Sequence, residues 1–363
     1  MANLLTCYYR PKPGGLCKRL FRAINALLAD GHTVHYLAVV PFPIQHPRCY
    51  FHRFPWNKNK TNGIIFWGIF HILTPLMLFF IGYKHQITHL FAFGHTYSFL
   101  MQPLHLIKKI PQTLFLRADT IKNHKLKSMP RFLIMIEKQL EGLALKDVRL
   151  YGVSKALTAN VCLRHTYFKP LLTGTLPNDI KKLPEKFILN KNYNLPLQMA
   201  CAGILEKRKN QSLLLNIMKN IQPDKAQLYL YGVGPDEKKL KQFVNKNKLT
   251  DRVHFMGWVE SELIWKNVDL LLMPSLHEGS PNSVLEALKQ NICILASNIP
   301  EHIEILPQKY LLSPYVKSEW IYCLQKIIND PKSILKNICT AQFIYSHQLY
   351  FDWDMKICKH ILK

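Results

Sequence analysis

Two glutamates that follow one apolar strand give the strongest chemical signal in this chain. Glu278 lies in a small-residue loop after a strand predicted at 268–274, and Glu286 lies in a helix predicted at 281–290. A carboxylate can accept hydrogen bonds from sugar hydroxyls, and backbone N–H groups at a helix start attract anions. The arrangement indicates a site for a phosphorylated sugar or a nucleotide. Taken alone, it also fits a loop charge and a carboxylate that the helix dipole favours.

Predicted strands alternate with predicted helices along the whole chain, as is typical of parallel sheets with crossover helices. In the first half we predict strands at 2–8, 33–40, 87–93, 112–118, 148–153 and 171–176, and helices at 15–29, 64–82, 97–108 and 129–145. In the second half we predict strands at 197–203, 226–232, 252–257, 268–274 and 292–297, helices at 210–220, 235–247, 281–290 and 316–329, and a helical tail at 340–363. The pattern predicts an α/β fold with two Rossmann-like, doubly wound domains and a ligand cleft at the carboxyl ends of their strands.

The composition places a boundary near the middle of the chain. Residues 183–196 are polar and contain two prolines, which is typical of a linker. We therefore expect a first domain over 1–182, a second over 197–342, and a C-terminal helix over 343–363 that returns to the first domain.

The charge of the chain is high and uneven. The formal net charge is +25, and residues 1–180 hold 23 of the 48 basic residues but only 6 of the 23 acidic ones. A basic half favours an anionic partner, such as an acidic lipid, a phosphorylated glycan or nucleic acid, although it also fits a merely soluble basic surface. Because the sequence contains no nucleic-acid recognition module, we expect no specific nucleic-acid partner.

Residues 64–82 form an almost wholly apolar run, interrupted by His71 and Pro75, that is long enough to cross a bilayer. Three interpretations stay open: a buried helix, a helix in the membrane interface, and a true span, which would divide the first domain.

The nine cysteines are scattered without a close pair, which argues against zinc and favours a reducing cytoplasm. The first residues do not resemble a signal peptide. We expect a cytoplasmic protein, peripheral at the inner face of the cytoplasmic membrane.

The segment 268–297 resembles the Glu-x7-Glu signature of family-4 retaining glycosyltransferases, which have the GT-B fold and include many enzymes of bacterial cell-surface glycan synthesis. Further motifs resemble those of the family in the same order along nearly the whole chain. They are Pro13-Gly14-Gly15, Gly31-His32-Thr33-Val34, Val153-Ser154-Lys155, Leu176-Pro177-Asn178-Asp179, the phosphate loop from Gly203 to Asn210, and the turn Tyr231-Gly232-Val233-Gly234-Pro235.

The resemblance implies roles for individual residues. Glu278 would contact the hydroxyls of the donor sugar, Glu286 would bind the ribose, and Lys209 would neutralise the leaving diphosphate as its charge grows. Gly14 and Gly15 would let the backbone approach donor or acceptor closely. The donor-binding residues implied are Lys209, Arg208, Gly234, Ser280, Pro281, Asn282, Ser283 and Glu286.

Two departures from the family pattern concern the phosphate and the acceptor. Many relatives carry an arginine where this chain has Ile204, and Arg208 is the nearest candidate to replace it. The family often has a histidine after the strand that ends near residue 117, whereas this chain has Asp119 there. Asp119, or His95 at the end of the preceding strand, is a candidate for orienting the acceptor or assisting proton transfer.

The resemblance implies a retaining glycosyltransferase that moves a hexose-type sugar from a nucleotide-diphosphate sugar to a glycan or lipid-linked acceptor, in the synthesis of lipopolysaccharide, capsule or another cell-surface polysaccharide. The resemblance also implies that the enzyme needs no cofactor and no bound metal, because GT-B enzymes of this kind generally work without one. An anionic membrane surface is a further expected partner. The alternatives are a non-hydrolysing sugar-nucleotide epimerase and an inactive relative that acts as a basic binding protein.

Overall fold

The computed structural model describes residues 1–12, 15–178, 193–349 and 351–363, without the side chains of residues 15 and 16. The chain forms two compact units, one of Met1–Pro177 with Asp352–Lys363 and the other of Asn178–Phe351. The boundary predicted after residue 182 and most of the predicted linker lie outside the described residues.

The first unit is built on a parallel sheet. Its strands are β1 (Asn3–Cys7), β2 (Thr33–Ala38), β3 (Cys49–Arg53), β4 (His89–Phe93), β5 (Gln112–Leu116), β6 (Arg149–Gly152) and β7 (Leu172–Thr175). Its helices up to residue 177 are α1 (Gly15–Ala29), α2 (Ile64–Lys84), α3 (His95–Lys108), α4 (Thr120–Leu126), α5 (Arg131–Ala144) and α6 (Lys155–Arg164). The strand order is β3-β2-β1-β4-β5-β6-β7. The central strands are buried on both faces, as parallel strands under crossover helices require.

The second unit repeats this plan. Its strands are β8 (Leu197–Ala202), β9 (Ala226–Tyr231), β10 (Val253–Gly257), β11 (Leu270–Met273), β12 (Cys293–Ser297) and β13 (Leu311–Leu312), in the order β10-β9-β8-β11-β12-β13. Its helices are α7 (Gln211–Met218), α8 (Glu237–Lys246), α9 (Ser261–Ile264), α10 (Asn282–Lys289), α11 (Pro300–Ile303), α12 (Lys317–Asn329) and α13 (Pro331–Ser346).

Strand β8 shows why the second sheet is covered on both sides. Met199 and Cys201 belong to one core cluster, whereas Ala200 and Ala202 belong to the other. This alternation follows from the two-residue period of a strand. Both architectures confirm the predicted α/β class with two Rossmann-like domains.

The last helix, α14 (Trp353–Leu362), packs on the first unit. The returning helix was predicted over 343–363, but α13 continues to Ser346 and the second unit extends to Phe351. Trp353 is buried, and the guanidinium groups of Arg19 and Arg22 lie 5.1 and 5.3 Å from the centre of its ring. Arg22 also forms an ion pair with Asp354. Cation–π contacts and a charge pair therefore join α14 to α1.

Helix α2 has two apolar faces with different surroundings. Phe66, Phe70 and Leu78 are buried, whereas Leu76 and Phe80 are 65% and 66% exposed. The helix is long and apolar enough to cross a membrane by length and composition. The interpretation of α2 as a buried helix holds for one face only.

Cys293 on β12 and Cys339 on α13 form a disulfide, a pairing that the scattered spacing of the cysteines did not indicate. Both residues are buried in the core of the second unit.

Candidate functional site

The site is assembled by two loops that follow neighbouring parallel strands. Strand β11 pairs with β8, with Leu270 opposite Met199, so the loops after both strands leave the sheet at the same edge. Backbone contact joins them, because the Leu276 N–H donates to the Arg208 carbonyl oxygen at 2.8 Å. The phosphate loop and the Glu278 loop therefore form one structure.

Glu278 lies at the centre of this structure and is only 3% exposed. Its Oε1 accepts a hydrogen bond from Lys209 Nζ at 2.6 Å and another from Ser275 Oγ at 2.7 Å. Its Oε2 accepts from Arg208 Nη1 at 2.8 Å. The structure thus brings three of the predicted site residues, Glu278, Lys209 and Arg208, into direct contact.

These contacts fix the charge state of Glu278. Burial by itself raises the pKa of a carboxyl group, but Lys209 and Arg208 outweigh it and lower the pKa of Glu278 to about 2. Burial lowers the pKa of Arg208, but Glu278 and Glu206 raise it above its ordinary value. The site holds a fixed carboxylate between two cations, so Glu278 can accept hydrogen bonds from hydroxyls but has no proton to give at neutral pH.

Glycines allow the loops to meet. Gly232 has a φ of +127°, and a Cβ built on it would lie 2.1 Å from the carbonyl oxygen of Gly203. A Cβ on Gly234 would lie 2.3 Å from the carbonyl oxygen of Leu205. The loops after β8 and β9 therefore contact each other backbone to backbone, with no room for a side chain at either glycine.

A buried layer supports the Glu278 loop. Ser297 Oγ donates to the Ser275 carbonyl oxygen at 2.5 Å, and the His302 ring nitrogen Nδ1 lies 2.8 Å from the Ser297 carbonyl oxygen. Burial lowers the pKa of His302 to about 4, although the charge of Glu278 acts in the opposite direction. His302 is therefore neutral at pH 7 and donates from Nδ1 to that carbonyl.

Helix α10 begins next to this loop. Asn178 Nδ2 donates to Ser280 Oγ at 2.7 Å and to Asn282 Oδ1 at 2.5 Å, which holds the loop that enters the helix. Pro281 directly precedes α10, and the Ser283 hydroxyl donates to the sulfur of Met273 at 3.7 Å. These contacts place the predicted residues 280–283 at the N-terminus of a helix, where backbone N–H groups are available to an anion.

Glu286 is half-buried on α10, and its Oε2 accepts a hydrogen bond from Ser261 Oγ at 2.7 Å. The indole N–H of Trp265 donates to the same hydroxyl at 3.4 Å. Glu286 is thus oriented by α9 rather than by the charged cluster, and its binding of a ribose stays a prediction.

The position that departs from the family pattern is open. Ile204 is 51% exposed, and its carbonyl oxygen accepts a hydrogen bond from Gln211 Nε2 at 3.0 Å. Arg208, the candidate replacement, contacts Glu206 at 2.6 Å as well as Glu278. Its guanidinium is therefore committed to two carboxylates, and its contact with a phosphate stays a prediction.

The two acceptor-side candidates lie after adjacent strands of the first unit. Asp119 caps α4 by accepting from the Lys122 N–H at 2.9 Å, and its other oxygen accepts from Arg164 at 2.5 Å. Burial raises the pKa of Asp119, but the hydrogen bonds from Arg164 and Lys122 lower it below its ordinary value. Both contacts stabilise local structure and disfavour a role as base, so that role stays a prediction.

His95 is buried as the first residue of α3, and its Nε2 lies 2.7 Å from the Glu137 carboxylate. That hydrogen bond lowers the pKa of Glu137. His95 therefore has an orienting carboxylate.

Of the predicted glycine loop, Gly15 begins α1, whereas Gly14 lies outside the described residues.

Three side chains that contact the site were not predicted as site residues. Ser275 and Glu206 bind Glu278 and Arg208, and Asn178 holds the loop before α10. Asn178 lies in a motif that carried the resemblance, so it had a signal. Glu206 and Ser275 also lie in resembled segments, 203–210 and 268–297, but only the contacts in the structure identify them as site residues.

The candidate site of the second unit lies within a region that matches a known family. Residues 196–330 match the family described as glycosyl transferases group 1. The chain is 33% identical over 157 residues to the O-antigen biosynthesis glycosyltransferase WclY of Escherichia coli, and 29% identical over 157 residues to the capsular polysaccharide biosynthesis glycosyltransferase CapH of Staphylococcus aureus. Each alignment covers 42% of this chain and 40% of the relative, so the chain spans well under half the length of these relatives.

Among solved structures, the chain is similar to Anabaena HepE in complex with UDP and glucose, with a TM-score of 0.73, 16% identity, and coverage of 100% of this chain and 98% of that one. The fold is that of GT-B glycosyltransferases.

Proposed function

We propose that this chain is a retaining glycosyltransferase that transfers a sugar from a nucleotide-diphosphate sugar to a glycan or lipid-linked acceptor, in the synthesis of lipopolysaccharide, capsule or another cell-surface polysaccharide. The observation that carries the proposal is the Lys209–Glu278–Arg208 cluster at the carboxyl edge of the second sheet. It lies within the region that matches the glycosyl transferases group 1. Relatives named for O-antigen and capsule synthesis support the substrate class.

In the proposed reaction, the bond between the anomeric carbon and the diphosphate oxygen breaks, and a bond to the acceptor oxygen forms on the same face of the sugar. The acceptor proton passes to the leaving phosphate. Lys209 stabilises the negative charge that develops on the leaving group. Glu278, which stays ionised, accepts hydrogen bonds from sugar hydroxyls and fixes the ring, so the protein acts by positioning and electrostatics.

A thermal-shift panel with UDP, GDP, ADP and CMP tests the donor site. Wild type and Glu286→Ala are compared, and Glu262→Ala, an exposed carboxylate on neighbouring α9, is the matched control. A ligand at about 100 times its Kd should stabilise the fold by about 2.7 kcal/mol. We expect one nucleotide to raise the Tm of wild type and of Glu262→Ala. In Glu286→Ala the same nucleotide should raise the Tm much less.

Product analysis then tests the reaction. Nucleotide release that depends on an acceptor, with the anomeric configuration of the donor kept in the product by NMR, supports retaining transfer. An inverted product would contradict the retaining mechanism. Conversion of the sugar nucleotide without any acceptor would instead support the epimerase.

We also propose that the protein is peripheral at the inner face of the cytoplasmic membrane, with α2 in the interface. The exposed face of α2 is apolar, and basic side chains adjoin it: Lys84 ends the helix, and Lys108 Nζ lies 4.7 Å from the ring centre of Tyr83. Apolar side chains of α5, including Phe132 and Met135, are exposed as well. An apolar face with basic neighbours suits an anionic membrane surface.

Flotation with vesicles that contain phosphatidylglycerol tests this attachment. We expect wild type to float at low salt and the variant Leu76→Glu/Phe80→Glu to stay at the bottom of the gradient. The control Ile344→Glu/Tyr322→Glu changes exposed apolar residues of α12 and α13 and should still float. Failure of wild type to float would contradict the attachment but would leave the transferase proposal intact.

A further inference from the structure

Three histidines from three separate segments of the first unit meet on one face of its sheet. His35 lies on β2, His52 lies on β3, and His85 directly follows α2. One nitrogen of each ring lies within 4.8 Å of the corresponding nitrogens of the other two. From this juxtaposition we propose that His35, His52 and His85 form a binding site for a divalent transition-metal ion of the zinc class.

The closest approach is between Nδ1 of His35 and Nε2 of His52, which lie 2.9 Å apart. Zinc–nitrogen bonds of about 2.0–2.1 Å in a tetrahedral site separate ligand nitrogens by about 3.3–3.4 Å. The His35–His52 pair therefore needs to open by only a few tenths of an ångström, with loss of the proton that now joins the rings. His85 must move closer, and it lies in a connection rather than inside a helix or strand.

The order of the sheet brings the first two ligands together. His35 lies opposite Tyr50 in the β2–β3 register, and His52 follows Tyr50 by two residues, so His35 and His52 point to the same face. The Tyr50 ring stacks on His35 at 4.9 Å, which holds the imidazole in place. Cys49 alternates to the opposite face, so its thiol is not part of the group.

The type of donor selects the ion. Among the residues that the structure describes, neither a carboxylate nor a thiol belongs to the group. Neutral imidazoles suit Zn²⁺, Ni²⁺, Cu²⁺ and Co²⁺, whereas Mg²⁺ and Ca²⁺ need oxygen ligands. His35 is buried and the other two rings are half-exposed, so water can supply a fourth ligand.

The position of the site suggests what the ion does. His85 closes α2, so an ion bound by all three histidines would fasten the end of that helix to the two strands at the edge of the sheet. The structure therefore assigns the site a stabilising role in the first unit. Lys84 adds a positive charge beside the ligands, and we expect micromolar rather than tighter affinity.

Titration of the full, untagged chain with Co²⁺ tests the site. We expect one equivalent of Co²⁺ to give the visible ligand-field band of a tetrahedral nitrogen site, and added Zn²⁺ to abolish it. His85→Gln should weaken Co²⁺ binding at least tenfold, whereas His347→Gln, which removes an exposed histidine of the second unit, should not change it. Zn²⁺ should raise the Tm of wild type and of His347→Gln, but not of His85→Gln.

His52→Gln is the second variant if His85→Gln does not fold, as judged by circular dichroism. Absence of the band in wild type, equal affinity in His85→Gln and His347→Gln, or a near-ultraviolet thiolate charge-transfer band would each overturn the proposal. The first outcome would mean that the three histidines form no tetrahedral metal site, and the second would mean that the metal binds elsewhere on the chain. None of these outcomes bears on the glycosyltransferase proposal, because the histidines and the donor loops belong to different units.

Discussion

The Lys209 ammonium donates to the Glu278 carboxylate across 2.6 Å, although the two residues are 69 positions apart in the chain. They follow adjacent parallel strands, and Glu278 also accepts a hydrogen bond from Arg208. If Lys209 is to neutralise a diphosphate, as we propose, its charge must be shared between that ligand and Glu278. Four predictions concern this cluster and its surroundings.

Glu278→Gln should separate nucleotide binding from sugar transfer. The amide keeps the shape but leaves Lys209 and Arg208 without their shared counter-charge, so the nucleoside diphosphate should bind about tenfold more tightly. Transfer should fall about 100-fold or more, because the sugar loses a fixed acceptor. Calorimetry with the nucleoside diphosphate and an assay of transfer measure the two effects. Glu206→Gln, which changes the other carboxylate that contacts Arg208, is the control. Parallel losses of affinity and turnover in Glu278→Gln would contradict the shared-charge interpretation.

Lys209→Met should destabilise the second unit as well as weaken diphosphate binding. The buried carboxylate of Glu278 would keep Arg208 as its remaining cationic partner, and breaking a buried ion pair costs about 3–5 kcal/mol. The double variant Lys209→Met/Glu278→Gln should be more stable than the sum of the two single losses predicts. Urea unfolding of the four proteins measures the coupling. Simple additivity would mean that the contact contributes little to stability.

Ile204→Arg should strengthen binding of the nucleoside diphosphate. Ile204 is exposed in the phosphate loop, at the position where many relatives of the resembled family carry arginine. A charge-assisted hydrogen bond contributes about 1.5–3 kcal/mol, which corresponds to roughly a tenfold gain or more. Calorimetry at two salt concentrations measures the gain and its electrostatic part. The control Ile344→Arg adds the same charge at an exposed position of α13. An equal gain in affinity for the nucleoside diphosphate in this variant would mean that only net charge matters.

The free energy of unfolding should decrease as the pH is lowered, because His302 resists protonation in the folded chain. Its pKa of about 4 in the folded chain lies below the ordinary value of 6.5, so the unfolded chain takes up the proton first as the pH falls. The contribution of His302 to the free energy of unfolding is therefore fully present above pH 6.5. It decreases as the pH drops toward 4, by about 3 kcal/mol at most. His302→Gln should flatten the pH dependence of unfolding between pH 6.5 and 4. His254→Gln, on β10, controls for loss of a ring, and an unchanged slope in His302→Gln would contradict the assignment.

The fold was largely readable from the sequence because its strongest signals are local. Runs of apolar residues identified the central strands, and helices α1, α8 and α12 were predicted close to their observed bounds. Strand β3 was missed because it is a half-exposed edge strand without clear alternation. Helix α6 was missed although Ser154 caps it, accepting from the Leu157 N–H at 3.1 Å, which is a signal that the sequence contains.

The site was readable only in part, because contacts between distant residues follow from strand order rather than from spacing. The sequence identified Glu278 and Lys209 as separate site residues, but their ion pair requires β8 and β11 to be neighbours. The histidine group of the first unit was missed for the same reason, since its members come from three segments. In α2, apolar residues lie on every side of the helix, so the sequence did not indicate which face is buried.

Because α14 completes the first unit, that unit is discontinuous in the chain. On the ribosome, Arg19 and Arg22 of α1 cannot meet Trp353, which is buried in the finished protein, until residues 352–363 have emerged. The whole of the second unit is synthesised before then. The order of synthesis therefore leaves one face of α1 uncovered for most of translation, and a chaperone that shields it during that interval would improve the yield of folded protein.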